Sequence, residues 1–288
     1  MSLSNSPLIE ADELIPLVAS QSVKVVDASW YLPSEQRYPL AEYENGHIPG
    51  AVFFDIDLIC DHASSFPHML PSTPQFEAAI GELGIGNDDD VVVYDGSGMF
   101  SAPRVWWMLR IFGHDRVRVL NGGLPAWLAA GGELVSIHTH NVTEVEPTRF
   151  RSSFDAKNLI DIATLWRSLK AGDVQVLDAR AAARFNGEQP EPRPGVRCGH
   201  MPGAINVPFK QLLDARGRMM TTRTLQQRFE EAGVDLQRPI VTSCGSGVTA
   251  CVLALGLYCL GRADVAVYDG SWSEWGSCEA YPVQTAND

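Results

Sequence analysis

The run Val241-Thr242-Ser243-Cys244-Gly245-Ser246-Gly247-Val248-Thr249-Ala250 contains the residues best suited to chemistry. A β-type apolar run at 239–242 delivers one cysteine into a Gly-Ser-Gly turn, and a helix-like apolar stretch at 251–260 follows at once. A cysteine so placed sits above a helix N-terminus, among backbone N–H groups that have no partner inside the helix. Those donors and the helix dipole favour negative charge on the sulfur, and thiolate is the reactive form. Two glycines let the chain curl tightly around one atom. Cys244 is therefore read as a nucleophile in a small anion cradle. The plainer alternative is a buried structural cysteine.

The elements that must hold this loop occur twice. Val23-Lys24-Val25-Val26-Asp27-Ala28 recurs as Val174-Gln175-Val176-Leu177-Asp178-Ala179, and Gly46-His47-Ile48-Pro49-Gly50-Ala51 as Gly199-His200-Met201-Pro202-Gly203-Ala204. Val91-Val92-Val93-Tyr94 before Asp95-Gly96-Ser97-Gly98 mirrors Ile240-Val241-Thr242-Ser243 before Cys244-Gly245-Ser246-Gly247. Val119-Leu120-Asn121-Gly122-Gly123 with Trp127 answers Val267-Tyr268-Asp269-Gly270 with Trp275. Four blocks in one order, all offset by about 150 residues, indicate duplication of a domain rather than a short-period solenoid. Short β-branched runs alternate with helix-like segments such as 102–111 and 224–232, which predicts an α/β fold with a mainly parallel sheet covered on both faces. Sites in such sheets lie at the carboxyl ends of strands, where Asp95 and Cys244 fall. The expected domains are 1–140 and 155–288, joined through the polar stretch 137–158. Only the second copy has the thiol; the first, with Asp95 in its place, is scaffold, substrate wall or regulator.

Composition narrows the partners. With 288 residues, 45% hydrophobic and 20% charged, the chain can build two ordinary cores. A net charge of −13 argues against nucleic acid and gives no basis for docking on anionic lipid. No apolar run approaches the length of a membrane span. The first twenty residues carry Glu10, Asp12 and Glu13 and no Lys or Arg, unlike a secretory signal, so cytoplasm is the expected location. The cysteines at 60, 198, 244, 251, 259 and 278 form no Cys-x-x-Cys pair, so no metal is expected and reduced thiols are. Cys251 and Cys259 read as core packing.

Rhodanese sulfurtransferases in their tandem form are the family these blocks resemble. Tyr43-Glu44-Asn45-Gly46-His47-Ile48-Pro49-Gly50-Ala51 is similar to that family's amino-terminal signature, and Gly270-Ser271-Trp272-Ser273-Glu274-Trp275 to its carboxy-terminal one. The resemblance covers nearly the whole chain. It implies two tandem rhodanese-like domains, an inactive first copy, an active site at the domain interface, and no cofactor. It also implies that Cys244 takes a sulfane sulfur as a persulfide and hands it to an acceptor: a small thiol, thioredoxin or cyanide.

Within the family, thiosulfate sulfurtransferases carry basic residues directly after the cysteine. Gly245, Ser246 and Gly247 are neutral, and Cys-Gly-Ser-Gly-Val-Thr resembles the branch acting on 3-mercaptopyruvate. That keto acid needs a planar cationic fork for its carboxylate. Arg184 and Arg193 match the family pattern for it, with the loop residues Gly245, Gly247, Val248 and Thr249 completing the substrate-binding set. A surface role, paired with Glu188 or Glu191, is the alternative for either arginine. Asp57 and His68, by the same resemblance, form a relay with Ser246 that handles the substrate proton, or else only brace the interface. His47 and His200 recur in both copies and read as structural, as do Glu274 and its flanking tryptophans.

Three other classes fit less well. A cysteine phosphatase needs a longer loop closing on arginine, where Ala250 stands. A dinucleotide site is suggested only by Gly245-x-Gly247-x-x-Ala250, and nothing in it requires a cysteine. A non-catalytic interaction module fits the first copy, not the second.

Overall fold

The computed structural model describes residues 6–138 and 145–286 and divides into two compact units. Unit 1 comprises Met1–Asp61, Leu70–Asp155 and Ala215–Met219; unit 2 comprises His62–Met69, Ala156–Asp214 and Met220–Asp288.

Unit 1 runs β1 (Leu8–Ile9), α1 (Ala11–Ala19), β2 (Lys24–Asp27), α2 (Pro39–Asn45), β3 (Ala51–Phe53), α3 (Thr73–Glu82), β4 (Val91–Tyr94), α4 (Ala102–Ile111), β5 (Val117–Leu120) and α5 (Gly123–Ala129). Its five strands are parallel in the order β1-β5-β4-β2-β3. Unit 2 runs β6 (Leu159–Ile160), α6 (Ile162–Ala171), β7 (Gln175–Asp178), α7 (Ala182–Phe185), β8 (Ile205–Asn206), α8 (Thr222–Glu231), β9 (Ile240–Ser243), α9 (Ala250–Cys259), β10 (Ala266–Tyr268) and α10 (Ser271–Trp275). Its strands are parallel in the order β6-β10-β9-β7-β8, strand for strand the order of unit 1.

The cores repeat as well. Leu14, Val25, Ile48, Val92 and Trp127 pack together in unit 1, and Leu165, Val176, Met201, Val241 and Trp275 in unit 2. In each unit the central strand, β4 or β9, is buried along its whole length, as a parallel strand covered on both faces must be. Helix α9 is buried from Ala250 to Leu257 and so is apolar all round rather than amphipathic. It starts one residue earlier than the apolar run 251–260 suggests.

Two stretches depart from a simple cut of the sequence. Residues 62–69 lie in the first half of the chain yet belong to unit 2, taking His68 with them. In the polar stretch expected to join the domains, residues before the changeover at Asp155 and Ala156 pack on unit 1. There the N–H groups of Thr148, Ser153 and Asp155 donate to Gly81, Phe112 and Ile111, and Phe150 is buried edge-on against Phe76. Residues 139–144 of that stretch lie outside the described residues.

Candidate active site

Strand β9 ends at Ser243, and Cys244 follows with 2% of its surface exposed. Gly247, at φ +78°, makes the turn that a side chain would resist, and Thr249 caps α9. The N–H groups of Gly245, Ser246, Val248 and Thr249 find no acceptor among the described residues. They form a set of donors around the cysteine at the head of an apolar helix.

Unit 1 shows what such a set binds. Asp95, fully buried, follows β4 as Cys244 follows β9. Its carboxylate accepts N–H bonds from Ser97 at 2.9 Å, Phe100 at 2.8 Å, Ser101 at 3.0 Å and Ala102 at 2.9 Å. Ser97 and Phe100 occupy the loop positions of Ser246 and Thr249. The first copy thus fills its own cradle with its own carboxylate, and the second leaves the two equivalent donors at Ser246 and Thr249 open beside a thiol.

Two cations border the loop in unit 2. Arg184, on α7, comes so close to Gly245 that a Cβ there would lie 3.1 Å from its Nη2. Its Nε donates to Glu191 Oε1 at 3.3 Å, and its Nη2 pairs with the other oxygen of that carboxylate. Glu191 is anchored in turn by Arg180, whose Nη1 donates to it at 2.8 Å and which also forks onto Asp178 and lies over the Trp272 ring. The Arg184–Glu191 pair considered in the sequence exists, but it occupies only the Nε edge of the guanidinium and leaves the terminal edge for an anion. Arg193 Nη1 reaches Ser273 Oγ at 3.5 Å.

His68 and Ser246 meet: Nδ1 lies 3.0 Å from Oγ, and both residues are buried. His68 holds φ +61°, a left-handed backbone that costs a non-glycine residue roughly 1–3 kcal/mol and persists only where the surroundings compel it. Asp57 lies in unit 1, where Oδ2 accepts the Trp30 indole N–H at 3.0 Å. His47 and His200 are engaged in their own turns, each Nδ1 on a backbone carbonyl and each ring stacked on Tyr43 or Phe185. Among the described residues no cluster of His, Cys, Asp and Glu could hold a metal ion, and no helix is long and apolar enough to cross a membrane.

Sequence reading missed the residues that hold the loop from behind. Ser271 Oγ accepts the Cys244 N–H at 3.1 Å, Trp272 N–H donates to the Cys244 carbonyl at 3.0 Å, and Ser273 donates to the Gly245 carbonyl. In the sequence Trp272 reads as packing and neither Ser271 nor Ser273 carries a reading of its own; the two serines of the motif are the available signal.

The family model for the rhodanese-like domain matches residues 10–130 and 161–278. The chain is 42% identical to thiosulfate/3-mercaptopyruvate sulfurtransferase 1, mitochondrial, of Arabidopsis thaliana, over 98% of this chain and 79% of the relative. It is 47% identical to the 3-mercaptopyruvate sulfurtransferase of Rattus norvegicus, over 89% and 86% of the two chains. Among solved structures it is similar to SseA from Escherichia coli, described as a 3-mercaptopyruvate sulfotransferase, with a TM-score of 0.84, 40% identity, and coverage of 93% and 99%.

Proposed function

This chain belongs to the rhodanese-like family, and we propose that it moves sulfur from 3-mercaptopyruvate to an acceptor through a persulfide on Cys244. The observation that carries the reading is the Cys244 loop: neutral at Gly245, Ser246 and Gly247, with backbone donors open and the Arg184 guanidinium against it. A monocarboxylate keto acid suits one guanidinium edge, and the developing charge on sulfur suits the N–H groups.

The Cys244 thiolate attacks the substrate sulfur, and a new S–S bond forms as the C–S bond breaks. The electron pair of that bond leaves on carbon as the enolate of pyruvate. The proton of the substrate thiol ends on that carbon, giving pyruvate and a Cys244 persulfide anion. His68 and Ser246, 3.0 Å apart, hold this proton in transit. An acceptor nucleophile then attacks the outer sulfur, the S–S bond breaks and its electron pair returns Cys244 as thiolate; a small thiol or thioredoxin leaves as a persulfide, and cyanide as thiocyanate. Arg193 joins Arg184 in holding the substrate carboxylate.

Thiosulfate is the second donor, favoured by the double name of the Arabidopsis relative. Steady-state rates with each donor and one common acceptor decide between them. The reading expects 3-mercaptopyruvate to be strongly preferred; equal kcat/KM for both would reject that preference and leave the sulfur-transfer chemistry standing.

A further inference from the structure

Ser273 stands where the two copies differ in a way that tracks the thiol. In unit 1 the residues after β5 read Gly122-Gly123-Leu124-Pro125, and in unit 2 the residues around the start of α10 read Gly270-Ser271-Trp272-Ser273. Leu124 N–H donates to the Asp95 carbonyl at 2.9 Å as Trp272 N–H donates to that of Cys244, so the two segments are equivalent. Gly123 and Ser271 share a left-handed backbone, φ +55° and +49°. Unit 2 accepts that conformation in a non-glycine residue, and its hydroxyl takes the Cys244 N–H. Pro125 has no N–H and no hydroxyl. Ser273, at its position, donates both to the Gly245 carbonyl, at 2.8 Å from the backbone and 2.6 Å from Oγ.

A peptide group is planar and trans, so its C=O and the following N–H point in opposite directions. Pinning the Cys244 carbonyl to Trp272 turns the Gly245 N–H away from α10. Pinning the Gly245 carbonyl to Ser273 turns the Ser246 N–H away likewise. In unit 1 the equivalent N–H, that of Ser97, lies on the Asp95 carboxylate. An anchored Asp95 fixes its own donors; a cysteine that gains and loses a sulfur atom cannot, and the orientation has to come from behind.

We propose that Ser273 is a positioning residue for sulfur transfer: its two donors fix the Gly245–Ser246 peptide so that the Ser246 N–H faces the sulfur on Cys244. The assignment rests on the sulfur-transfer reading above. Ser273→Ala removes one donor, and Ser273→Pro removes both, proline being what unit 1 carries there.

Single-turnover reaction at saturating 3-mercaptopyruvate, followed by pyruvate release, yields a rate constant and a burst amplitude. Saturation removes any effect Ser273 has on binding through Arg193. The expected result is a graded fall in the rate constant, about two- to tenfold for Ser273→Ala and larger for Ser273→Pro, with the Ser273→Ala amplitude preserved. A purely structural role would lower the amplitude and leave the rate constant alone. The parent rate constant in Ser273→Ala would overturn the proposal. Absence of a burst from the parent protein would instead remove the sulfur-transfer reading, and this assignment with it.

Discussion

Arg184 and Gly245 are in near contact, and the contact depends on the glycine: a Cβ at 245 would lie 3.1 Å from Nη2 of the guanidinium. Glu191 holds the Nε–Nη2 edge of the same group. Arg184→Ala is expected to lower kcat/KM for 3-mercaptopyruvate by about ten- to a hundredfold, the worth of a charge-assisted hydrogen bond. The carboxylate is present throughout the reaction, so much of the loss falls in KM. Arg184→Lys restores only part, because an ammonium offers no planar edge. Steady-state kinetics with a small donor lacking a carboxylate is the control: an equal loss there would mean that Arg184 supports the loop rather than the substrate.

The His68–Ser246 hydrogen bond makes a prediction about coupling. If the two groups handle one proton, Ser246→Ala and His68→Asn each lower kcat by about tenfold, and the double variant falls about as far as the worse single one. Asparagine is chosen because it tolerates the left-handed backbone that His68 adopts at φ +61°. Losses that multiply in the double variant would show two independent residues and dissolve the relay.

Asp95 is expected to matter for stability and not for turnover. Its carboxylate satisfies four N–H groups in unit 1, those of Ser101 and Ala102 being buried. Asp95→Ala strands them and costs about 1–3 kcal/mol by denaturant unfolding. The sulfur-transfer rate per folded molecule stays at the parent value. A large fall in that rate would give the first copy a part in the chemistry that its geometry does not suggest.

His114 makes unit 1 sensitive to acid. It is buried against Phe150, and burial lowers its pKa from 6.5. In the unfolded chain the ring protonates near its ordinary value, so the unfolded state binds the proton first as pH falls. The stability His114 contributes is therefore complete above about pH 6.5 and is lost progressively below it. His114→Phe should flatten that part of the stability profile. An unchanged acid slope, measured by thermal unfolding across this range, would assign the sensitivity to other groups.

Much of the fold was legible in the sequence because duplication prints each element twice. The pairs Val25 with Val176 and Val92 with Val241 mark the same buried strands in both copies. Cys244 was legible for a local reason: strand, Gly-Ser-Gly turn and apolar helix are contiguous, so the chain itself builds the cradle. Residues that act through tertiary contact were not. His68 sits in the first half of the sequence and packs with the second unit, which no local pattern encodes. Glu191 looked like any acid near an arginine, although the buried Arg180 makes it a fixed clamp. Ser271 and Ser273 were hidden by the tryptophans around them, and only the comparison with Gly123 and Pro125 brings out their role.

The central claim is that Cys244 carries the sulfur. Intact-mass analysis of the protein after exposure to 3-mercaptopyruvate without acceptor should find one added sulfur atom, located on Cys244 by peptide mapping and lost when a thiol is added. Cys244→Ser should stay at its unmodified mass and release no pyruvate. A Cys244→Ser protein that still takes up the sulfur and turns over would contradict the account.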